Sequence, residues 1–160
     1  MPAAEAAVGD LRRRLDPSAA LGVPAHVTIH FPWVPDDRVD ARVLDDLATL
    51  AAEVASFDVT LRRTAWFDRE LLWLDPEPRE PFLRLIAGSA SRWPDLPLYG
   101  GQFADVVPHV TVGIAAMGSL VGLDEIVGAR LPVGDRATEL QWITRTAPDP
   151  WIVRCALALG

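Results

Sequence analysis

The sequence predicts an α+β fold built from two related halves, and three observations carry that prediction. Half of the 160 residues are hydrophobic, enough for one packed interior. The expected elements recur in the order strand, helix, strand pair. The repeat is about eighty residues, too long for a solenoid unit. The tripeptide His-Val-Thr occurs twice, in VPAHVTIHF from Val23 and in VVPHVTVGI from Val106. Two such units packed about a pseudo-two-fold axis set the two His-Val-Thr strands facing each other across a cleft.

The elements follow in chain order. Residues 3–15 form a short helix. Val27, Thr28, Ile29 and Phe31 favour a strand, bracketed by Pro24 and Pro32. A helix is expected from Asp37 to Ala55, because Val39, Val43, Leu47, Leu50 and Val54 keep the 3.6-residue period. Asp36 or Asp37 caps its start. FDVTLRRTAWF and LLWLDP read as two strands joined by a tight turn at Asp68–Glu70. REPFLRLIAGSASRW reads as a second helix with Phe82, Leu85, Ile86 and Ser89 on one face. YGGQFADV is a loop leading into the second His-Val-Thr strand. Ser119 is expected to cap a third helix ending near Ala129. ATELQWITRT and WIVRCALAL close the chain as a hairpin turning at APDP.

Composition narrows the function. All fifteen basic residues are arginine, and 22 acids bring the net charge to -7. Proteins that track long duplexes carry a basic face. The one basic run, Arg12–Arg14, reads as solvated helix surface. No apolar run reaches the ~18 residues of a membrane span, and MPAAEAAVGDLRRRLD does not read as a secretory leader. Cys155 is the single cysteine, so no internal disulfide forms and a cytoplasmic location is expected. No long duplex, no membrane and a monomer are the corresponding expectations for partners.

The repeated tripeptide carries the chemistry. Residues i and i+2 of a strand share a face, so His26 lies beside Thr28 and His109 beside Thr111, with Val27 and Val110 pointing into the core. Two imidazoles near neutral pKa supply a proton acceptor and a proton donor in one step. Two hydroxyls donate to the non-bridging oxygens of a phosphate. Alone, either tripeptide is an ordinary strand histidine; the pairing at equivalent points of a duplicated pattern is what points to function. A metal site is the rival reading, through His26 and His30. Four strand residues span ~13 Å, too far for two ~2 Å metal bonds. His30 is therefore placed as a flanking residue toward the cleft rim, and no metal or other cofactor is expected. No P-loop, G-x-S-x-G or cysteine pair occurs. Phe31, Trp33, Tyr99 and Phe103 flank the motifs and are candidates to stack a base, with lobe packing as the alternative. Arg63 and Arg145 are candidates to meet a phosphate, although solvated surface suits either.

With its two H-x-T-x motifs, one per half of a small α+β chain, the sequence resembles the two-histidine phosphoesterase superfamily. That group includes LigT-like 2′-5′ RNA ligases and cyclic nucleotide phosphodiesterases. GVPAHVTIHFPWVP, YGGQFADVVPHVTVGIA and ATELQWI carry the likeness, which runs over roughly residues 8–157. The resemblance implies one bilobed domain over 1–160, with two antiparallel sheets facing across a V-shaped cleft and helices outside. It also implies metal-independent chemistry on 2′,3′-cyclic phosphates or RNA ends. Carried over by residue, His26 and His109 are catalytic, and Thr28 and Thr111 bind phosphate. His109 is expected as base and His26 as acid. Members usually begin with an apolar strand; here the opening residues supply none, so one sheet is expected to be a strand short. The alternative function is a nucleotide- or RNA-end-binding module that uses the same cleft with little or no turnover.

Overall fold

A computed structural model describes residues Met1–Gly160. Helix α1 (Pro2–Leu15) starts on a proline, which has no N–H to leave unpaired in a first turn. Glu5 lies in that first turn and Arg12, Arg13 and Arg14 in the last, each sign at the favourable end of the helix dipole. The helix stops at Asp16. The Asp16 carboxylate accepts from the Ser18 amide at 2.9 Å and so caps a single further turn, α2 (Pro17–Ala20).

Helix α3 (Ala41–Ala52) is capped by Asp40, whose carboxylate accepts from the Val43 amide at 2.9 Å. The expected start at Asp36 or Asp37 is therefore corrected. Asp36–Arg38 form one 3-10 turn, and the Asp36 carboxylate is occupied by the Thr144 hydroxyl at 2.7 Å. Strands β1 (Phe57–Phe67) and β2 (Leu71–Glu77) form the expected hairpin. Its turn places Asp68 and Arg69 at φ 47° and 59°, in the left-handed region. Helix α4 (Glu80–Arg92) buries Phe82, Leu85, Ile86 and Ser89, as the periodicity predicts.

The second half supplies β3 (Val110–Ile114), helix α5 (Leu123–Gly128), β4 (Val133–Ala137), β5 (Glu139–Thr144) and β6 (Ile152–Ala158). Ser119 does not cap α5. Its hydroxyl accepts from Val121 at 3.4 Å, and Gly122 at φ 71° occupies the cap position. Strand β4 has no counterpart in the expected elements, because VGDRA carries neither apolar alternation nor β-branched residues beyond Val133.

The expected α+β architecture with two antiparallel sheets is present. The first sheet has the order β3-β2-β1-β4, and the second is the β5–β6 hairpin. The halves interlock, since β3 and β4 of the second half flank β1 and β2 of the first. Ala4, Val8 and Leu11 of α1 pack with Val59, Leu61, Leu72, Leu74, Val110 and Val112 of the first sheet. A second cluster joins Leu47, Leu50, Ala51 and Val54 of the α3 region to Leu85, Leu140 and Leu159. Ile29 packs against both clusters, so the first motif threads between them. Gly113 makes the α1 end fit closely on β3, where a Cβ would lie 3.0 Å from the Leu15 Cβ. No helix is long and apolar enough to cross a membrane.

The first His-Val-Thr segment is not a ladder strand, which corrects the strand expected from its composition. The backbone just before the tripeptide is tied to the N-terminal helices instead. Ala25 N–H donates to the Glu5 carboxylate at 2.8 Å, and the Met1 ammonium donates to Ala25 O at 3.1 Å. Val23 N–H donates to Ser18 O at 3.0 Å. Pro24 and Pro32 have no N–H to give a ladder. The second sheet is thereby left with two strands, and the chain opens on α1 rather than on a strand.

Candidate active site

Strand parity decides what the first sheet presents away from its core. Leu72, Leu74, Val110 and Val112 point inward. Trp73, Asp75, His109 and Thr111 therefore fall on the opposite face, and Trp73 pairs with Thr111 across β2 and β3. Phe67 stacks on Trp73 at 4.9 Å between centroids and meets the His109 ring edge-on at 5.1 Å. Trp73 lies 5.9 Å from the same imidazole. His109 thus stands in an aromatic corner that holds its ring plane.

Both histidines of the repeated motif are oriented by the same local device. His109 Nδ1 donates to Val107 O at 2.7 Å, and His26 Nδ1 donates to Pro24 O at 2.8 Å. Each acceptor is the carbonyl two residues upstream. A carbonyl only accepts, so in the neutral ring Nδ1 carries the hydrogen and Nε2 keeps its lone pair. The Thr28 hydroxyl lies 3.2 Å from His26 Nε2 and donates to it in that tautomer.

Burial lowers the pKa of both rings below the ordinary histidine value, and the Pro24 and Val107 carbonyls oppose the shift. At His26, positive charge on Arg12 and on His109 lowers the pKa further, while Asp16 raises it. Tyr99 has its phenol pKa raised by burial, opposed by a hydrogen bond with Thr28, so it adjoins the first motif.

The sequence model of the 2′-5′ RNA ligase superfamily matches residues 1–119. The chain belongs to that superfamily. Two Geobacillus proteins, each named "Putative phosphoesterase", align over 109 residues. The protein from Geobacillus sp. strain WCH70 is 30% identical and that from G. kaustophilus strain HTA426 is 27% identical. Each alignment covers 64% of this chain and 57% of the relative, so the chain matches little more than half the length of either. Among solved structures, Escherichia coli LigT complexed with 3′-AMP superposes with a TM-score of 0.58 at 17% identity, over 94% of this chain and 92% of that one. A crystal structure titled phosphoesterase gives 0.51 at 18% identity, over 94% and 92%. These superpositions show that this member of the 2′-5′ RNA ligase superfamily has the LigT-like fold.

Other residues singled out in the sequence fall into separate groups. Phe31, Tyr99 and Phe103 form one aromatic row, with centroids 6.5 and 5.7 Å apart, in which the half-buried Tyr99 lies between the exposed Phe31 and Phe103. Tyr99 adopts φ 50° and donates its N–H to Phe31 O at 2.6 Å. Trp33 is not in that row; it packs edge-on against Trp93 at 5.2 Å and Trp142 at 5.8 Å. The expectation that His30 flanks the cleft rim is corrected. Its Nε2 donates to Leu96 O at 2.8 Å, and Nδ1 accepts from the buried Ser89 hydroxyl at 2.7 Å, so both nitrogens tie the segment to α4 and the loop that follows it. Arg63 is held by Asp75, and Arg145 donates to Asp149 O. No three His, Cys, Asp or Glu side chains converge to hold a metal ion.

Four residues beside the motifs escape sequence reasoning: Phe67, Trp73, Arg79 and Arg12. Period two along β2 from the buried Leu72 and Leu74 would flag Trp73 as lying on the other face. Arg79 sits over the Trp73 ring with its guanidinium carbon 5.9 Å from the centroid. Arg12 stands four residues after the buried Val8, on the apolar stripe of α1, and this was the signal available for it.

Proposed function

We propose that the chain is a metal-independent phosphoesterase acting on 2′,3′-cyclic phosphates of nucleotides or RNA ends, with His26 and His109 as its proton-transfer pair. One observation carries the reading: both imidazoles are fixed by an upstream carbonyl so that Nε2, the nitrogen able to exchange a proton, keeps its lone pair, and the Thr28 hydroxyl lies beside that nitrogen at His26. Superfamily membership and the nucleotide named with LigT support the substrate class. The net charge of -7 suits an end-on or small ligand better than a long duplex.

In the hydrolytic direction, water attacks phosphorus and the P–O3′ bond breaks. One neutral imidazole takes the water proton, and the other, protonated, delivers a proton to O3′, leaving a 2′-phosphate. Thr28 and Thr111 hydroxyls hold the non-bridging oxygens. For the two roles we take His26 as base and His109 as acid, the opposite of the sequence expectation. The Arg12 charge favours a neutral ring there, which suits the base, and His109 is then the acid. With a ribose 5′-hydroxyl in place of water as the nucleophile, the same groups join RNA ends: the P–O3′ bond breaks, O3′ takes the proton and a 2′-5′ bond forms. Phe31, Tyr99 and Phe103 offer the row on which a base stacks.

Turnover of a nucleoside 2′,3′-cyclic phosphate, with the 2′- and 3′-products resolved, tests the reading. We expect the 2′-product, at a rate unchanged by excess EDTA. Binding without turnover supports the non-catalytic alternative, and loss with chelator restored by zinc or magnesium overturns the metal-free chemistry.

The pH profile is a second test. Both free histidines are shifted below the ordinary ~6.5. The kcat/KM bell, which reports the free enzyme, is therefore expected to centre on the acid side of ~6.5. A bound phosphate anion stabilises imidazolium, so the kcat bell moves to higher pH. A profile that rises monotonically through neutrality contradicts the two-imidazole mechanism.

A further inference from the structure

Arg12 is the buried charge that the proposed chemistry does not use. Its side chain is 1% exposed, whereas Arg13 beside it is 61% exposed. The guanidinium reaches four groups. Nε donates to Thr111 O at 2.9 Å, inside the second motif. Nη1 donates to Val23 O at 3.4 Å and to the Glu5 carboxylate at 3.2 Å. Nη2 donates to Asp16 at 2.7 Å. The same Glu5 oxygen accepts from Ala25 N, next to His26. One side chain and its carboxylate partner therefore touch the backbone of both His-Val-Thr segments.

Those two segments share no hydrogen-bonded ladder. Thr111 is on the edge strand β3, whose outer carbonyls have no neighbouring strand, and the first segment is paired to no strand. A buried ion cluster is seldom worth more to stability than an apolar side chain of the same volume. It does impose fixed directions, because the planar guanidinium fork accepts few geometries.

We propose that Arg12 is a positioning residue: with Glu5, it replaces the missing ladder between the two His-Val-Thr segments and sets the alignment of His26 with His109. The proposal rests on the functional reading above. The charged groups around His26 agree with it. Arg12, Asp16 and His109 carry the charges felt at its ring, while Glu5 and the Met1 ammonium bind the adjoining Ala25 backbone. Of these, Arg12 has a larger effect on the ring than Asp16 and lowers its pKa.

The test uses the full chain, a nucleoside 2′,3′-cyclic phosphate, and NMR titration of the three histidines. Arg12→Lys keeps the charge and loses the fork. It is expected to lower kcat by about tenfold or more, the scale of a slight misplacement of reacting groups, with KM changed far less. Arg12→Met also removes the charge, so the His26 midpoint is expected to rise while His30 stays in place. If Arg12→Met does not fold, Glu5→Gln, which weakens the contact to Ala25, is expected to reproduce the kcat loss and to shift the His26 resonances. Wild-type kcat in Arg12→Lys with unmoved His26 and His109 resonances overturns the proposal. So does a fall in melting temperature with no selective change at His26. Should His26→Ala and His109→Ala keep full turnover, the functional reading fails instead. The titrations would still decide whether Arg12 governs the first motif.

Discussion

His26→Ala and His109→Ala are each expected to lower kcat by about 10²–10⁴, the range for removing a positioned acid or base. His30→Ala is expected to keep at least about a tenth of the rate, equivalent to ~1.4 kcal/mol of barrier. The difference follows from their partners. His26 and His109 each spend Nδ1 on a carbonyl two residues upstream, and at His26 Nε2 meets the Thr28 hydroxyl, itself a proposed phosphate ligand. His30 spends both nitrogens, on Ser89 and Leu96, so it has none to offer a substrate. Its loss belongs to stability, at about 1–3 kcal/mol, because the buried Ser89 hydroxyl is left without its partner. Because the two working histidines act in one step, the double variant is expected to be little worse than the weaker single variant. A substrate whose leaving group is a phenolate needs no proton, so it should rescue His109→Ala far more than His26→Ala. Rescue of His26→Ala instead would exchange the acid and base assignments, and equal activity in all three single variants would remove the proposed mechanism.

The parts of this site legible in the sequence were those written locally. A repeated His-Val-Thr at matching points of a duplicated pattern is visible without a structure, and so is the 3.6-residue stripe that buries Leu47, Leu50 and Val54. The parts that failed depend on distant partners. Val27, Thr28 and Ile29 have strand composition, but the neighbouring Ala25 backbone is satisfied by Glu5, twenty residues upstream. Backbone polar groups go to whichever donor or acceptor reaches them, and propensity does not say which. Trp33 and Tyr99 looked alike as aromatic residues beside a motif. Packing separates them: Trp33 is enclosed by Trp93 and Trp142, and Tyr99 bridges the exposed Phe31 and Phe103. Arg12 was hidden by its company, since a run of three arginines suggests a solvated face when only the register against Val8 shows that one of them points inward.

Removing both Arg63 and Arg79 is expected to destabilise the fold by about 3–5 kcal/mol, the cost of leaving a buried charge without partners. Asp75 is that charge, with 1% of its side chain exposed. Arg63 reaches one carboxylate oxygen through Nε at 2.9 Å and Nη2 at 2.6 Å. Arg79 reaches the other through Nε and Nη2, both at 2.7 Å. The two guanidiniums are 63% and 40% exposed, so they return to water at little cost once released. The penalty therefore falls on the carboxylate and is asymmetric. Arg63→Ala alone leaves the two-point contact with Arg79 and should cost at most about 1 kcal/mol, as for a partly exposed pair. Arg63→Ala/Arg79→Ala leaves Asp75 with neither. Adding Asp75→Leu to that double variant removes the stranded charge and should restore much of the loss, since buried ion clusters can be replaced by apolar groups of similar volume. Urea unfolding of the four chains measures the series. If the triple variant were less stable than the double, Asp75 would be paired with some group other than these arginines. The triple variant also carries a consequence for the site. Arg79 covers the Trp73 ring, and Trp73 supports His109. Stability is therefore expected to recover without full recovery of kcat, which separates the folding role of the cluster from its support of the imidazole.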